Sequence, residues 1–159
     1  LLLASQALPI FVIAPLLVLW FGYGITAKIL TTTFMLFFPV ANNFLDGLKQ
    51  TPENYLNLAH IMNSSRWQTL YQIRIPAALP NLASGIRIAT AMAPLGAIIG
   101  EWVGSSQGLG FLLLNANAQM QTGLMFAILA VIFFFSIFIY FLIDKLLCLG
   151  MPWTLLKSH

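Results

Sequence analysis

Residues able to do chemistry are few in this chain. Four side-chain carboxylates, seven Lys or Arg and two histidines are spread over 159 residues. No Ser–Lys pair, Asp–Asp pair or His-rich metal set is visible, and His60 and His159 have no ligand spacing around them. The lone Cys148 allows neither an internal disulfide nor a thiolate cluster. No Gly-x-x-x-x-Gly-Lys-Ser/Thr phosphate loop occurs. We therefore expect no catalytic, cofactor or metal site. The net charge of +3 is small and scattered and leaves no nucleic-acid footprint. What remains is charge in an apolar setting. Arg87 and Glu101 are the charges of one apolar run, fourteen residues apart, or about 21 Å along a helix. They point in nearly the same direction but are too far apart to pair, so each needs its own partner or water. Two readings of Glu101 stay open: a functional group near one end of its span, or a structural carboxylate bonded to a neighbouring span. Arg87 reads as a snorkelling residue near the surface.

The elements that hold these groups are membrane spans. Sixty per cent of the residues are hydrophobic and 7% charged, whereas a soluble domain carries about 25% charged residues. Uncharged runs predict spans at about 8–22, 28–46, 79–102 and 123–146 in a single all-α polytopic bundle. Pro15, Pro39 and Pro94 fall inside them, tolerated where neighbouring groups satisfy the freed carbonyls. Pro94 reads as a fixed kink, with a hinge as the alternative. Ala89, Ala93 and Ala97, with the Gly96/Gly100 pair, form a small-residue stripe for close helix packing. The chain opens at Leu1 with no Met-plus-basic start, and we expect an N-terminus lying further upstream.

Four spans put both chain ends on one side. Lys49, Arg66, Arg74, Arg87, Lys145 and Lys157 would share that side, against Lys28 on the other. The positive-inside rule then makes the 47–78 segment and the C-terminus cytoplasmic. Within that segment, Thr51-Pro52-Glu53 predicts a helix start, with Thr51 capping and Pro52 at the first helical position. This helix should run to Met62, and Asn63 should stop it in the left-handed conformation. Ser65-Arg66-Trp67-Gln68 fits a capping box for a second helix, expected to end before Pro76. Leu56, Ala59, Ile61, Trp67, Leu70 and Ile73 would face the bundle or a partner. An interfacial anchor with belt aromatics Trp67 and Tyr71 is the plain alternative. Beyond the third run, Gly108-Leu109-Gly110 and Phe111–Met120 suggest a short external helix.

The segment Asn57–Pro76 resembles the "EAA" loop of type I ABC importer permeases. Asn57, Leu58 and Ala59 occupy the Glu-Ala-Ala places, Asn63 the glycine place, and Ile73, Ile75 and Pro76 the closing positions. Ser64-Ser65-Arg66-Trp67 is similar to the Ala-Ser-x-Trp that often follows the glycine. Glu is replaced by Asn57, Ala by Leu58, Gly by Asn63 and Leu by Ile75. The run from Leu16 to Gly24 and the run Gly100-Glu101-Trp102-Val103-Gly104 are similar to the sulfonate, nitrate and taurine branch. Gly100–Gln121 looks most like permeases for hydroxymethylpyrimidine, a thiamine precursor. The resemblance implies a permease subunit in a bacterial inner membrane, with one or two spans upstream. It also implies a second permease chain, a cytoplasmic ABC ATPase subunit and an external solute-binding protein. Asn57, Leu58, Ala59, Asn63, Ser64, Ser65, Arg66, Trp67 and Pro76 would then dock on the ATPase. Glu101, Pro94 and Gly100 would belong to the translocation pathway. An ion-coupled secondary transporter and an intramembrane enzyme are the alternatives from other classes.

Overall fold

The computed structural model describes residues 10–150, and among these every regular element is helical. Seven α-helices follow one another: α1 (Ile10–Phe21), α2 (Ile25–Lys49), α3 (Glu53–Ile61), α4 (Arg66–Thr69), α5 (Ile75–Gly104), α6 (Leu109–Ala118) and α7 (Thr122–Gly150). A π-helical turn, Leu70–Arg74, joins α4 to α5 without a break.

The core of the molecule is the α2–α5 pair, and glycine makes it possible. The helices run antiparallel. Gly47 meets Ala78 and Asn81, Gly85 meets Pro39, Val40 and Asn43, Gly96 meets Thr32 and Met35, and Gly100 meets the backbone of Lys28. A Cβ at Gly85 would lie 2.9 Å from the Asn43 Cβ and 3.1 Å from the Pro39 carbonyl oxygen. Close backbone approach is how apolar helices gain packing contacts in lipid. Hydroxyls in this interface are satisfied by their own helices: Thr31 Oγ1 donates to the Ala27 carbonyl at 2.8 Å and Thr90 Oγ1 to Ile86 at 2.8 Å. The Asn43 amide donates to the Pro39 carbonyl at 2.8 Å. The Gly96/Gly100 pair thus packs within the chain. In the alanine stripe, Ala89 is buried and Ala97 is exposed.

Three helical segments are long and apolar enough to cross a membrane: Ile25–Lys49, Arg66–Gly104 and Thr122–Gly150. The expected first span, 8–22, is seen as the 12-residue α1, about 18 Å against the roughly 30 Å of a hydrocarbon core; residues 8 and 9 lie outside the described residues. α7 exposes Phe126, Phe133, Phe134, Phe138 and Phe141, and Ile128 is its one buried residue. Such a surface requires lipid or a partner.

The largest departure from the sequence expectation is at Pro76. The helix begun by the Ser65 capping box does not end before it; Arg66–Gly104 is one helical segment of 39 residues. In the π turn the Ile75 N–H reaches the Leu70 carbonyl, five residues back. The register shift places Pro76 within the first two positions of α5. There a missing N–H costs little and the ring escapes the clash it would meet in an α-helix interior.

Candidate coupling site and membrane charges

At one end of the bundle, α2 hands over to α3 through Thr51 and Pro52. Thr51 is buried and its hydroxyl donates to the Leu48 carbonyl at 3.1 Å. It finishes α2 and does not cap α3. Pro52 is the residue flanking α3, not its first helical residue. α3 stops as expected. Asn63 has φ +53°, its N–H meets the His60 carbonyl, and the Ser64 N–H reaches the Ala59 carbonyl at 3.0 Å. That pair of bonds is a Schellman closure. Ser65 and Gln68 then form both halves of the capping box, at 3.3 and 2.8 Å.

The result is a short helix joined by a tight turn to the start of a long one. Ala59 is buried at the crossing, while Leu56, Leu70 and Ile73 are half-buried. Ile61 and Trp67, expected to face the bundle or a partner, are 82% and 69% exposed, so neither packs on the bundle. Leu58, Met62 and Tyr71 are exposed beside them, and Trp67 stacks on Tyr71 with ring centres 6.2 Å apart. Asn57, Ser65 and Arg66 are exposed and Ser64 is half-buried. Pro76 is exposed at the π junction. The nine sequence-predicted loop residues therefore lie on one structural unit, and Tyr71 and Met62 extend its apolar surface. Between α3 and the opening stretch of the long helix, residues 66–74, which we call the arm, lies a groove of about 530 Å³ lined by Leu56, Ala59, His60, Arg66, Leu70 and Arg74, among others.

The opposite end holds Glu101. Its carboxylate accepts from the Gly110 N–H at 2.6 Å, and Trp102 Nε1 donates to the Gly110 carbonyl at 3.1 Å. Glu101 thus anchors the first turn of α6. Gly108 has φ +126°, and any Cβ there would run into that carboxylate. Only glycine fits this corner. Lys28 donates to the Gln107 carbonyl at 3.3 Å, and Gly100 packs on the Lys28 backbone. Lys28, Thr32, Thr33, Ala97 and Glu101 border a shallow depression of about 250 Å³. Glu101 borders it, while its chain neighbour Gly100 is buried against the Lys28 backbone. Pro94 does not border the depression; it lies about 10 Å along the helix and lines a separate apolar groove between α5 and α7 with Leu95, Leu129 and Ser136.

Arg87 has a partner that the sequence reading missed. Its Nε lies 2.6 Å from Asp144 Oδ1 on α7, and an Nη donates to Cys148 Sγ at 3.9 Å. It is an inter-helix ion pair and not a free snorkelling charge. The signal was available: one Arg and one Asp, each in an apolar run near the same bundle end, have every reason to neutralise each other.

The arrangement has known counterparts. Residues 1–147 match the family described as the binding-protein-dependent transport system inner membrane component. The chain is 53% identical over 146 residues to a probable ABC transporter permease protein of Haemophilus influenzae, covering 92% of this chain and 60% of that protein. It is 37% identical over 153 residues to the formylaminopyrimidine transport permease protein ThiX of Halalkalibacterium halodurans, covering 96% and 61%. It is 37% identical over 152 residues to the riboflavin transport system permease protein RibX of Chloroflexus aurantiacus, covering 96% and 57%. The chain thus spans about three fifths of the length of these relatives. A match this extensive, on an all-helical fold with three membrane-length segments, makes the chain a membrane protein belonging to the binding-protein-dependent transport system inner membrane component family, the permeases of type I ABC importers.

Proposed function

We propose that this chain is the membrane-crossing part of a permease that an ATP-hydrolysing partner drives to import a small organic solute. The loop end, with residues 47–78 and the C-terminus, faces the cytoplasm of a bacterial inner membrane. The spans lie at about 8–22, 28–46, 79–102 and 123–146. Asn57, Leu58, Ala59, Asn63, Ser64, Ser65, Arg66, Trp67 and Pro76 form the unit that docks on a separate ABC ATPase subunit. A second copy of the permease and an external solute-binding protein complete the importer. Glu101 and Gly100 lie where solute enters from the binding protein, and Pro94 sets the bend of the helix that lines its path. The solute class we favour is a small nitrogen heterocycle of the thiamine-precursor type, since formylaminopyrimidine and riboflavin are named for two relatives.

The observation that carries this reading is the arm. A helix of 39 residues is about 58 Å long, nearly twice the hydrocarbon thickness. Nearly half of its length must lie outside the apolar layer, and we assign the excess mainly to its start, where Trp67 and Tyr71 are exposed. A load on that end is transmitted through continuous hydrogen-bonded backbone into the α2–α5 core.

The test is reconstitution of the full-length permease with its ATPase and binding protein in proteoliposomes. Solute uptake should require ATP on the loop side and should not follow from an ion gradient alone. Uptake driven by a proton or sodium gradient without ATP would replace the reading with secondary transport. Competition by hydroxymethylpyrimidine, but not by taurine, nitrate or an alkyl sulfonate, would support the solute class.

A further inference from the structure

The charges that line the groove between α3 and the arm are Arg66 and Arg74, both positive, over an apolar floor of Leu56, Ala59 and Leu70. Among the described residues no carboxylate pairs with either arginine. The chain has four acidic residues: Asp46 pairs with Lys49 at 3.7 Å, Asp144 with Arg87, and Glu101 holds the Gly110 N–H at the far end. Glu53 is on α3 itself and makes no ion pair with either arginine among the described residues. Arg66 is placed against local electrostatics. It occupies the first turn of a helix, where the dipole disfavours a cation. Helix stability therefore does not account for its position. The groove is also concave, and the same helical stretch exposes the stacked Trp67 and Tyr71, a surface that suits a protruding protein segment better than a diffuse headgroup layer.

We propose that this groove receives an acidic segment of the ATPase partner, one presenting at least two carboxylates to Arg66 and Arg74. The inference rests on the docking reading above and adds the chemistry of the partner surface. Asn57 on α3 carries no charge, so the charge that the groove offers a partner is that of Arg66 and Arg74 and is positive. Charge complementarity of this kind sets association rate and partner choice more than raw affinity.

The experiment measures binding of the ATPase to the full-length permease in nanodiscs of neutral phosphatidylcholine, from 50 mM to 0.5 M NaCl. The Debye length falls from about 14 Å to about 4 Å over that range. Wild-type affinity should fall with salt. R66Q/R74Q should bind about fivefold or more weakly at 50 mM, and the gap should close at 0.5 M. R66K/R74K should restore most of the affinity, which excludes misfolding. Trp67→Ala should weaken binding at every salt concentration. Loss with Trp67→Ala but none with R66Q/R74Q would overturn the cationic-groove inference and leave docking standing. No loss with any variant would overturn docking itself. An arginine effect seen only in nanodiscs containing phosphatidylglycerol would assign the groove to an anionic lipid and overturn the inference.

Discussion

Asn63 and Met120 solve the same backbone problem with unequal side chains. Both end a short helix with φ near +55°, and each is followed by a residue whose N–H reaches five residues back, Ser64 to Ala59 and Gln121 to Ala116. Asn tolerates the left-handed region because its short polar chain bonds locally; Met has no such compensation. Met120 is 83% exposed, so little packing offsets the strain. Met120→Gly is expected to raise stability by about 0.5–1 kcal/mol, read as a higher Tm in detergent. Asn63→Val, a β-branched residue in the same geometry, should lower Tm and weaken ATPase co-purification; an unchanged complex would show that this turn does not shape the docking unit. The Arg87–Asp144 pair makes a different expectation. Removing either partner leaves a charge among apolar neighbours, so Arg87→Met and Asp144→Leu should each cost about 1–3 kcal/mol, while the two together should cost less than their sum. A double-mutant cycle on thermal unfolding measures the coupling; additive losses would mean the pair contributes no coupling.

At the scale of elements, the α2–α5 interface carries the fold, and glycine spacing controls it. Gly85 faces backbone as well as side chain, so no rotamer change relieves an added group. Gly85→Leu should destabilise by about 1–3 kcal/mol or more through overpacking, whereas Gly123→Leu, open on all sides, should be near neutral. Equal losses at the two positions would show that helix propensity and not close approach governs Gly85. The sequence carried the long elements well because lipid imposes a simple code of apolar length and sparse charge. The 28–46, 79–102 and 123–146 expectations each fall inside an observed helix. Asn63 and the Ser65–Gln68 box were also readable, since capping chemistry is local. What escaped was tertiary or register-dependent. Nothing in 70–76 announces a π turn, so a proline that should end a helix is carried inside one. The Glu101–Gly110 anchor depends on a chain reversal at Gly108 that spacing alone does not specify. The Arg87–Asp144 contact joins residues 57 apart and needs the packed α5–α7 geometry.

For the whole molecule, charge and geometry agree on two unlike ends. Lys49, Arg66, Arg74, Arg87 and Lys145 gather at the end where α2 and α7 finish and the arm emerges, while Lys28 stands beside Glu101 at the other. The orientation proposed above rests on this asymmetry, because cationic segments are retained on the cytoplasmic side, and labelling from either side tests it. Cys148 is the one cysteine of this sequence, so Cys148→Ser, with every cysteine elsewhere in the full-length permease also changed to Ser, gives a clean background for topology. In that background Gln68→Cys on the arm and Gln107→Cys beside Lys28 are both exposed positions. A membrane-impermeant maleimide added to intact spheroplasts should label Gln107→Cys and leave Gln68→Cys unlabelled until the cells are lysed. Adding the ATPase to inside-out vesicles should then protect Gln68→Cys, one helical position from the exposed Trp67, and leave Gln107→Cys unaffected. Labelling of Gln68→Cys from outside the intact cell would put the arm where no ATP-hydrolysing partner can reach it, and the 39-residue helix would need another load to carry.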